Sequence, residues 1–189
     1  MTISKLDTRT ALVLNDMQKG VLRLPLAPQS RDEVVTRCVK LAAAFQRHRL
    51  PVILVAIGGP APGRVEQDLD LPEPPGPDFA EIIDEFADQL HDLVIPTFRW
   101  GAFHGTHLDS ELRQRGITQL IFGGVSTSSG IESSARSAFD LGYNVSVAVD
   151  AVSDFDAAAH RNSIGRVFPR IAESDVTDRI IELLDGRAR

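Results

Sequence analysis

The chain has 189 residues with 43% hydrophobic content, enough for the core of one globular domain spanning residues 1–189. Its 26 acidic and 20 basic side chains leave a formal charge of −6, which argues against nucleic acid or an anionic membrane as partner, since both need a basic face. No apolar run approaches the roughly 20 residues that span a bilayer, the first residues lack a secretion signal, and the single cysteine excludes an internal disulfide; the expectation is a cytoplasmic protein with a small-molecule ligand.

Residues 10–15 form a near-continuous apolar run of strand length, as in a central parallel strand covered on both faces. Asp16 follows directly. In open parallel sheets ligands bind at the C-terminal strand ends, above all where the strand order reverses, so Asp16 is read as a catalytic carboxylate or a turn cap. A proline-containing loop over 24–30 leads to Ser30, which with Glu33 has the pattern of a capping box for a helix over 31–49. Val34, Val35, Cys38, Leu41 and Phe45 share its apolar face, which makes Cys38 a buried core thiol. A second strand is predicted over 51–57. Residues 58–78 hold six prolines and four glycines, a long loop over the strand ends of the kind that serves as a lid or partner-contacting arm. A helix is predicted over 79–90 and a third strand over 93–97. An aromatic loop from Phe98 to Thr106 then carries the only tryptophan; Trp100 and Phe103 are placed either in a pocket wall or in packing. Thr106 is positioned to cap a helix over 107–115 that ends at Gly116.

Residues 118–122 read as a fourth strand, and an apolar-periodic stretch to Leu141 as a helix. Between them Gly123-Gly-Val-Ser-Thr-Ser-Ser-Gly130 forms a tight strand-to-helix turn. Such a turn aims free N–H groups and a helix's partial positive charge at one spot, where an anion or developing oxyanion can sit. It has the form of a nucleophile turn, yet it holds no cysteine, and its serines have no histidine nearby in sequence to activate them. Ser128 and Ser129 are read as helix caps, Glu132 as an acid favoured by the helix dipole, and Arg136 as an ion-pair partner. A fifth strand over 143–149 ends at Asp150. A helix over 156–167, with His160 at the surface or an interface, a short strand around Ile171 and an amphipathic helix over 176–184 complete the chain. His104 and His107 have no acidic or thiol companion at ligand spacing, so neither metal nor cofactor is expected. Alternating strands and helices specify an α/β fold, a three-layer αβα Rossmann-like domain with a mostly parallel sheet of about six strands. Asp16, the 97–103 loop and the 126–130 turn then gather at one sheet edge.

Taken together, these segments resemble the isochorismatase-like hydrolases, a superfamily that also holds nicotinamidases and other cysteine amidohydrolases. The resemblance covers nearly the whole chain. It rests on Leu12-Val-Leu-Asn-Asp-Met-Gln18, Trp100-Gly-Ala-Phe-His-Gly-Thr-His-Leu-Asp109, Gly124-Val-Ser-Thr127, Glu132-Ser-Ser-Ala-Arg136 and the segment from Gly142 to Ala151. It implies a catalytic site of Asp, Lys and Cys, with the aspartate at Asp16, the lysine position at Thr97 and the cysteine position at Gly130. Arg99 is the cation nearest to the lysine position. The resemblance also implies a cis peptide between Val125 and Ser126 and an oxyanion hole from the N–H groups of Ser126 and Gly130. The implied substrate pocket takes in Gln18, Arg99, Trp100, Phe103, Val125, Thr127 and Ser129, and the implied assembly is a homo-oligomer, a dimer or tetramer.

Glycine cannot act as a thiolate, which excludes covalent amide hydrolysis of the nicotinamidase type. The metal of the nicotinamidases has no counterpart either, because residues 56–78 hold no histidine. The isochorismatases of this fold likewise carry glycine at the cysteine position. Their vinyl ether hydrolyses once carbon is protonated and water captures the oxocarbenium ion, and a buried carboxylic acid supplies that proton. The expectation is a hydrolase acting through Asp16, as general acid or base, on a small anionic substrate or on water. The other reading open at this point is a relative without turnover that binds small molecules or serves in assembly.

Overall fold

The computed structural model describes residues 2–59, 63–66, 76–87 and 90–187. Strands β1 (Thr10–Asn15), β2 (Val52–Ile57), β3 (Leu93–Thr97), β4 (Gln119–Val125), β5 (Asn144–Ser153) and β6 (Glu173–Asp175) form one sheet in the order β3-β2-β1-β4-β5-β6. Every pairing is parallel. A parallel sheet has both faces covered, and β1 shows how the sequence meets that demand. Leu12 and Leu14 point into one buried cluster with Cys38, Leu41 and Phe45 of α1 (Arg31–Arg47) and Ile180 and Leu184 of α6 (Thr177–Asp185). Ala11 and Val13 point into the opposite cluster with Leu108 and Leu112 of α3 (Leu108–Gln114) and Ala135 and Ala138 of α4 (Glu132–Asp140). The period-two alternation of the strand thus joins three layers. Burying a leucine fully contributes about 1.5–3 kcal/mol, and Leu14→Ala would cost about 2–5 kcal/mol.

Local signals hold where the backbone has no competing partner. Ser30 starts α1 with a full capping box: its Oγ accepts from Glu33 N at 3.4 Å, and Glu33 Oε2 accepts from Ser30 N at 2.9 Å. Cys38 is buried, and burial pushes its thiol up to about 12. The helix expected over 107–115 is α3 (Leu108–Gln114) with His107, not Thr106, at its cap position, although Thr106 Oγ1 accepts from Leu108 N at 3.3 Å.

Four further expectations are corrected. The helix expected over 79–90 shrinks to α2 (Asp84–Ala87), with residues 88 and 89 outside the described ones. Residues 79–83 instead bond across the chain that leaves β1: Lys19 N to Glu81 O at 2.8 Å, Gly20 N to Phe79 O at 3.1 Å and Ile83 N to Met17 O at 3.0 Å. Those tertiary bonds take groups that a helix would use. Strands β4 and β5 run past Phe122 and Val149, because they pair again after a register shift, Gly124 with Val152 and Val125 with Ser153. The sixth strand lies at Glu173–Asp175; Ile171 closes a 3₁₀ turn (Phe168–Arg170), its N–H bonded to Phe168 O at 3.0 Å. The helix expected over 156–167 is α5 (Ala157–Asn162), continued by a π-helical turn (Ser163–Val167). Of the long loop expected over 58–78, residues 60–62 and 67–75 lie outside the described ones. Among the described residues no helix is long and apolar enough to cross a membrane.

The strand order reverses between β1 and β4, since chain connections leave the sheet in opposite directions from that pair. That is the switch point at which a parallel sheet opens a crevice beyond its C-terminal strand ends.

Candidate active site

Asp16 leaves β1 in a left-handed conformation, φ 54°, with its N–H on Val55 O at 2.8 Å and its carbonyl accepting from Gln18 N at 2.8 Å. Backbone bonds on both sides therefore fix a residue that L-amino acids seldom place in this region. Its Oδ1 is buried and has no hydrogen-bond partner among the described residues. Burial pushes the Asp16 carboxyl up to about 7, opposed in part by the backbone of Ile57. No cation among the described residues contributes to that balance. Before it in the strand, Asn15 is fully buried, and neither its Nδ2 nor its Oδ1 has a partner among the described residues.

The turn after β4 is held against this strand end. Gly124 has φ 105°, and a Cβ there would lie 2.2 Å from Asn15 O, so only glycine lets the two strands approach this closely. The Val125–Ser126 peptide is cis. Ser126 O accepts from Ile131 N at 3.0 Å, which closes a π-helical turn (Thr127–Ile131) ahead of α4. This corrects the expected caps: Ser126 is the cap residue and makes no side-chain cap bond. The carboxylate that serves the turn is Asp154, whose Oδ2 accepts from Ser128 N at 2.6 Å and whose Oδ1 accepts from Phe155 N at 2.8 Å and Asp156 N at 3.2 Å.

His160 is also corrected, from surface to interior, where it is 5% exposed. Thr127 Oγ1 donates its one proton to Ser153 O at 3.0 Å, so His160 Nδ1, 2.9 Å away, carries a hydrogen and donates to it. Burial lowers the pKa of His160. The signal that placed it inside was available: His160 lies in helical phase with Ile164, Val167 and Phe168, all packed in one apolar cluster. Ser134, not singled out by the sequence, ties the aromatic loop to the turn. Its Oγ donates to Gly130 O at 2.6 Å and accepts from Ala102 N at 3.0 Å.

Position 130 is where three segments converge. A Cβ on Gly130 would stand 3.2 Å from Asn15 Nδ2, 3.5 Å from Asp16 Oδ2 and 3.5 Å from Trp100 O. A side chain here would therefore project between an amide donor, a carboxyl oxygen and a carbonyl oxygen. Thr97 does not act as a site cation. It is buried, its Oγ1 accepts from Arg99 N at 3.0 Å, and it faces Arg99 O at 3.2 Å and Gly101 O at 3.4 Å, bracing the loop. Arg99 turns Nη1 to Phe98 O at 3.4 Å.

The remaining expected pocket residues divide. Trp100 presents its side chain to solvent, 56% exposed, beside Phe98 at 59%. Phe103 faces Tyr143 with ring centres 6.1 Å apart inside the α3 and α4 layer. The Gln18 amide is spent on backbone: Nε2 donates to Ile57 O and Ala80 O, both at 2.9 Å, and Oε1 accepts from Ile57 N at 2.8 Å. Val125 and Thr127 are fully buried, and Ser129 is half-buried in the turn. Glu132 pairs with Arg136 at 3.0 Å and accepts from Ser163 Oγ at 2.6 Å. His104 and His107 are exposed, and no group of three or more His, Cys, Asp or Glu side chains among the described residues is placed to hold a metal. A cavity of about 310 Å³ lined by Lys5, Gln119, Asn144 and Glu173 lies at the N-terminal strand ends, the edge opposite to Asp16.

Residues 10–178 match the family model of the isochorismatase domain. The isochorismatase family protein YecD of Escherichia coli O157:H7 is 39% identical over 185 residues, covering 93% of this chain and 96% of that protein. The ureidoacrylate amidohydrolase RutB of Pseudomonas syringae pv. syringae is 33% identical over 171 residues, 75% of this chain and 69% of that enzyme. Among solved structures, an isochorismatase family protein from Burkholderia thailandensis superposes with a TM-score of 0.86 at 34% identity, over 98% of this chain and 100% of that one. The chain belongs to the isochorismatase family of hydrolases.

Proposed function

We propose that this isochorismatase-family hydrolase acts on a small metabolite without a protein nucleophile, with Asp16 moving the proton between substrate and water. The observation that carries this reading is the Asp16 carboxyl itself. Its Oδ1 is buried and unpartnered among the described residues, its Oδ2 lies 3.5 Å from where a side chain on Gly130 would begin, and burial brings its pKa to about 7. A carboxyl poised there populates both forms at neutral pH, the condition under which a general acid or base works best. Protonated, it gives a proton to a leaving group or to an enol-ether carbon; ionised, it takes one from an attacking water.

Gly130 has no side chain to act as a nucleophile, and Thr97 is engaged by its own loop, which supports a route in which these two positions form no covalent intermediate. The N–H groups of Ser126 and Gly130 serve as oxyanion donors, each worth about 3 kcal/mol in the transition state when aimed at the developing charge. The test is turnover of a panel of small amides and enol ethers by wild type and Asp16→Asn, followed by mass spectrometry. A loss of about 10²–10⁴-fold in the variant is expected. Turnover equal to wild type would end the proposal. The pH profile assigns the role, because kcat/KM falls above pH about 7 for a general acid and rises there for a general base.

A further inference from the structure

The cavity of about 310 Å³ at the N-terminal strand ends reaches the size of small-molecule pockets, about 300–1,000 Å³. Gln119, which lines it, opens β4, and the turn that carries Gly130 follows Val125 at the other end of that strand. The strand between them spans about 20 Å, so the cavity is no part of the Asp16 crevice. One wall is apolar. Phe139 is 49% exposed there, Val145 and Ile171 join it, and Tyr143 offers only its ring, because its hydroxyl donates to Asp109 Oδ1 at 2.7 Å. The polar wall is mostly spent on itself. Gln119 Oε1 accepts from Asp7 N at 2.7 Å and Nε2 donates to Lys5 O at 3.3 Å. Asp7 Oδ2 accepts from Thr118 Oγ1 at 2.7 Å and Asn144 Nδ2 at 2.8 Å, and the Arg187 guanidinium, bonded through Nη2 to Asp7 O, answers its charge. Two charged groups are left over. Lys5 makes no ion pair among the described residues, and the Glu173 carboxylate has one neutral partner there, Ser4 N on Oε2 at 3.1 Å. Opposite charges thus line one cavity without pairing with each other.

We propose that this cavity is a second ligand site that takes a free amino acid with an apolar side chain, its carboxylate on Lys5, its ammonium on Glu173 and its side chain along Phe139, Tyr143 and Ile171. The site is independent of turnover at Asp16. Simpler occupants fit the charges less well. A plain carboxylate leaves Glu173 unanswered and adds a third negative group beside it and Asp7. A plain amine leaves Lys5 unanswered. A zwitterion answers both groups and leaves the net charge of the cavity unchanged. Its apolar part supplies most of the affinity by taking the exposed face of Phe139 out of water. The two partly exposed ion pairs add less and set the selectivity.

The experiment uses the full chain with L-leucine and L-phenylalanine as probes, each beside the acid that lacks its amino group and the amine that lacks its carboxyl group, followed by NMR shifts of the backbone amides. Wild type is expected to bind at least one amino acid about three- to fivefold more tightly than either of its truncated analogues, the scale of one partly exposed ion pair. Shifts are expected at Tyr143, Asn144 and Glu173 and none at Gly130. Lys5→Ala closes the gap between amino acid and amine and leaves the gap to the acid; Glu173→Gln, which keeps an acceptor for Ser4 N, does the reverse. Phe139→Ala weakens every probe. Turnover at Asp16 is unchanged in all three variants, so a failure here leaves that site untouched. No saturable shift from either amino acid, an acid or amine that binds as well as its amino acid, shifts at Gly130, or charge gaps that survive in both charge variants would overturn the assignment.

Discussion

Two groups of polar side chains flank Gly130, and they are treated in opposite ways. On the side of β5 and α5, the turn is saturated: Thr127 bonds Ser153 O and His160, Asp154 serves three backbone N–H groups, and Ser134 links Gly130 O to Ala102 N. On the side of β1, Asn15 and Asp16 hold buried polar atoms with no partner among the described residues. Each unpaired group costs about 1–3 kcal/mol, and a fold keeps such groups only where something other than stability is at stake. In the proposed reading the saturated side builds the shape of the site, and the unsaturated side meets the substrate. Loss of stability is therefore expected from changes on the first side, and loss of function without loss of stability from changes on the second.

The largest effect expected is on the unsaturated side. Asp16→Asn lowers turnover by about 10²–10⁴-fold and also changes how stability depends on pH. The carboxyl has a folded pKa of about 7 against an ordinary 3.8. It therefore supports folding fully below pH about 4, and that support is lost as pH rises through about 7. At 1.36 kcal/mol per unit the loss is on the order of a few kcal/mol. Urea unfolding of wild type at pH 5 and pH 8 is expected to show a decline that Asp16→Asn lacks; parallel curves for the two proteins would break the comparison.

Next in size is Asp154→Ala. Removing a carboxylate that accepts from Ser128, Phe155 and Asp156 is expected to cost about 3 kcal/mol in urea unfolding. Thr127→Val follows at about 1–3 kcal/mol, because it strands His160 Nδ1–H in the interior. If either variant were as stable as wild type and lost only turnover, the saturated side would have to be counted as substrate-contacting. Ser30→Ala, far from the site, is the control: about 1 kcal/mol of stability lost from the α1 cap, with turnover unchanged.

Gly130→Ala carries the smallest stability change and sharpens the contrast most. Its added Cβ meets the ends of two side chains, Asn15 Nδ2 at 3.2 Å and Asp16 Oδ2 at 3.5 Å, and a carbonyl at 3.5 Å. Alanine at a helical glycine restores up to about 1 kcal/mol of propensity, so thermal unfolding is expected to move by less than that while turnover falls. A large drop in stability would mean that this space belongs to the core.

The sequence disclosed the layers because apolar runs such as Leu12 to Leu14 have few ways to be covered, and the Ser30 to Glu33 box marks a helix start from local chemistry alone. It misled over 79–90, where Ile82, Ile83 and Phe86 at helical spacing also suit a segment lying across the end of β1; tertiary bonds to Met17, Lys19 and Gly20 decided the outcome. Asp16 was recognisable by its place after strand β1, and Gly130 by the resemblance to the isochorismatase-like hydrolases. Asn15 was not, because one polar residue at the end of an apolar run looks like the run's boundary, and its burial depends on Gly124 approaching from a strand more than a hundred residues away. Ser128 and Ser129 carried the composition of caps, but the carboxylate that serves the turn comes from Asp154, a distant residue that no local pattern marks.

The central claim is that the Asp16 carboxyl is a working acid or base near neutral pH. Its most direct test is an NMR titration of the Asp16 side-chain carboxyl carbon in the folded chain, assigned by comparison with Asp16→Asn. A midpoint near pH 7 is the predicted result; a midpoint near 4, the value of an ordinary exposed aspartate, would contradict it.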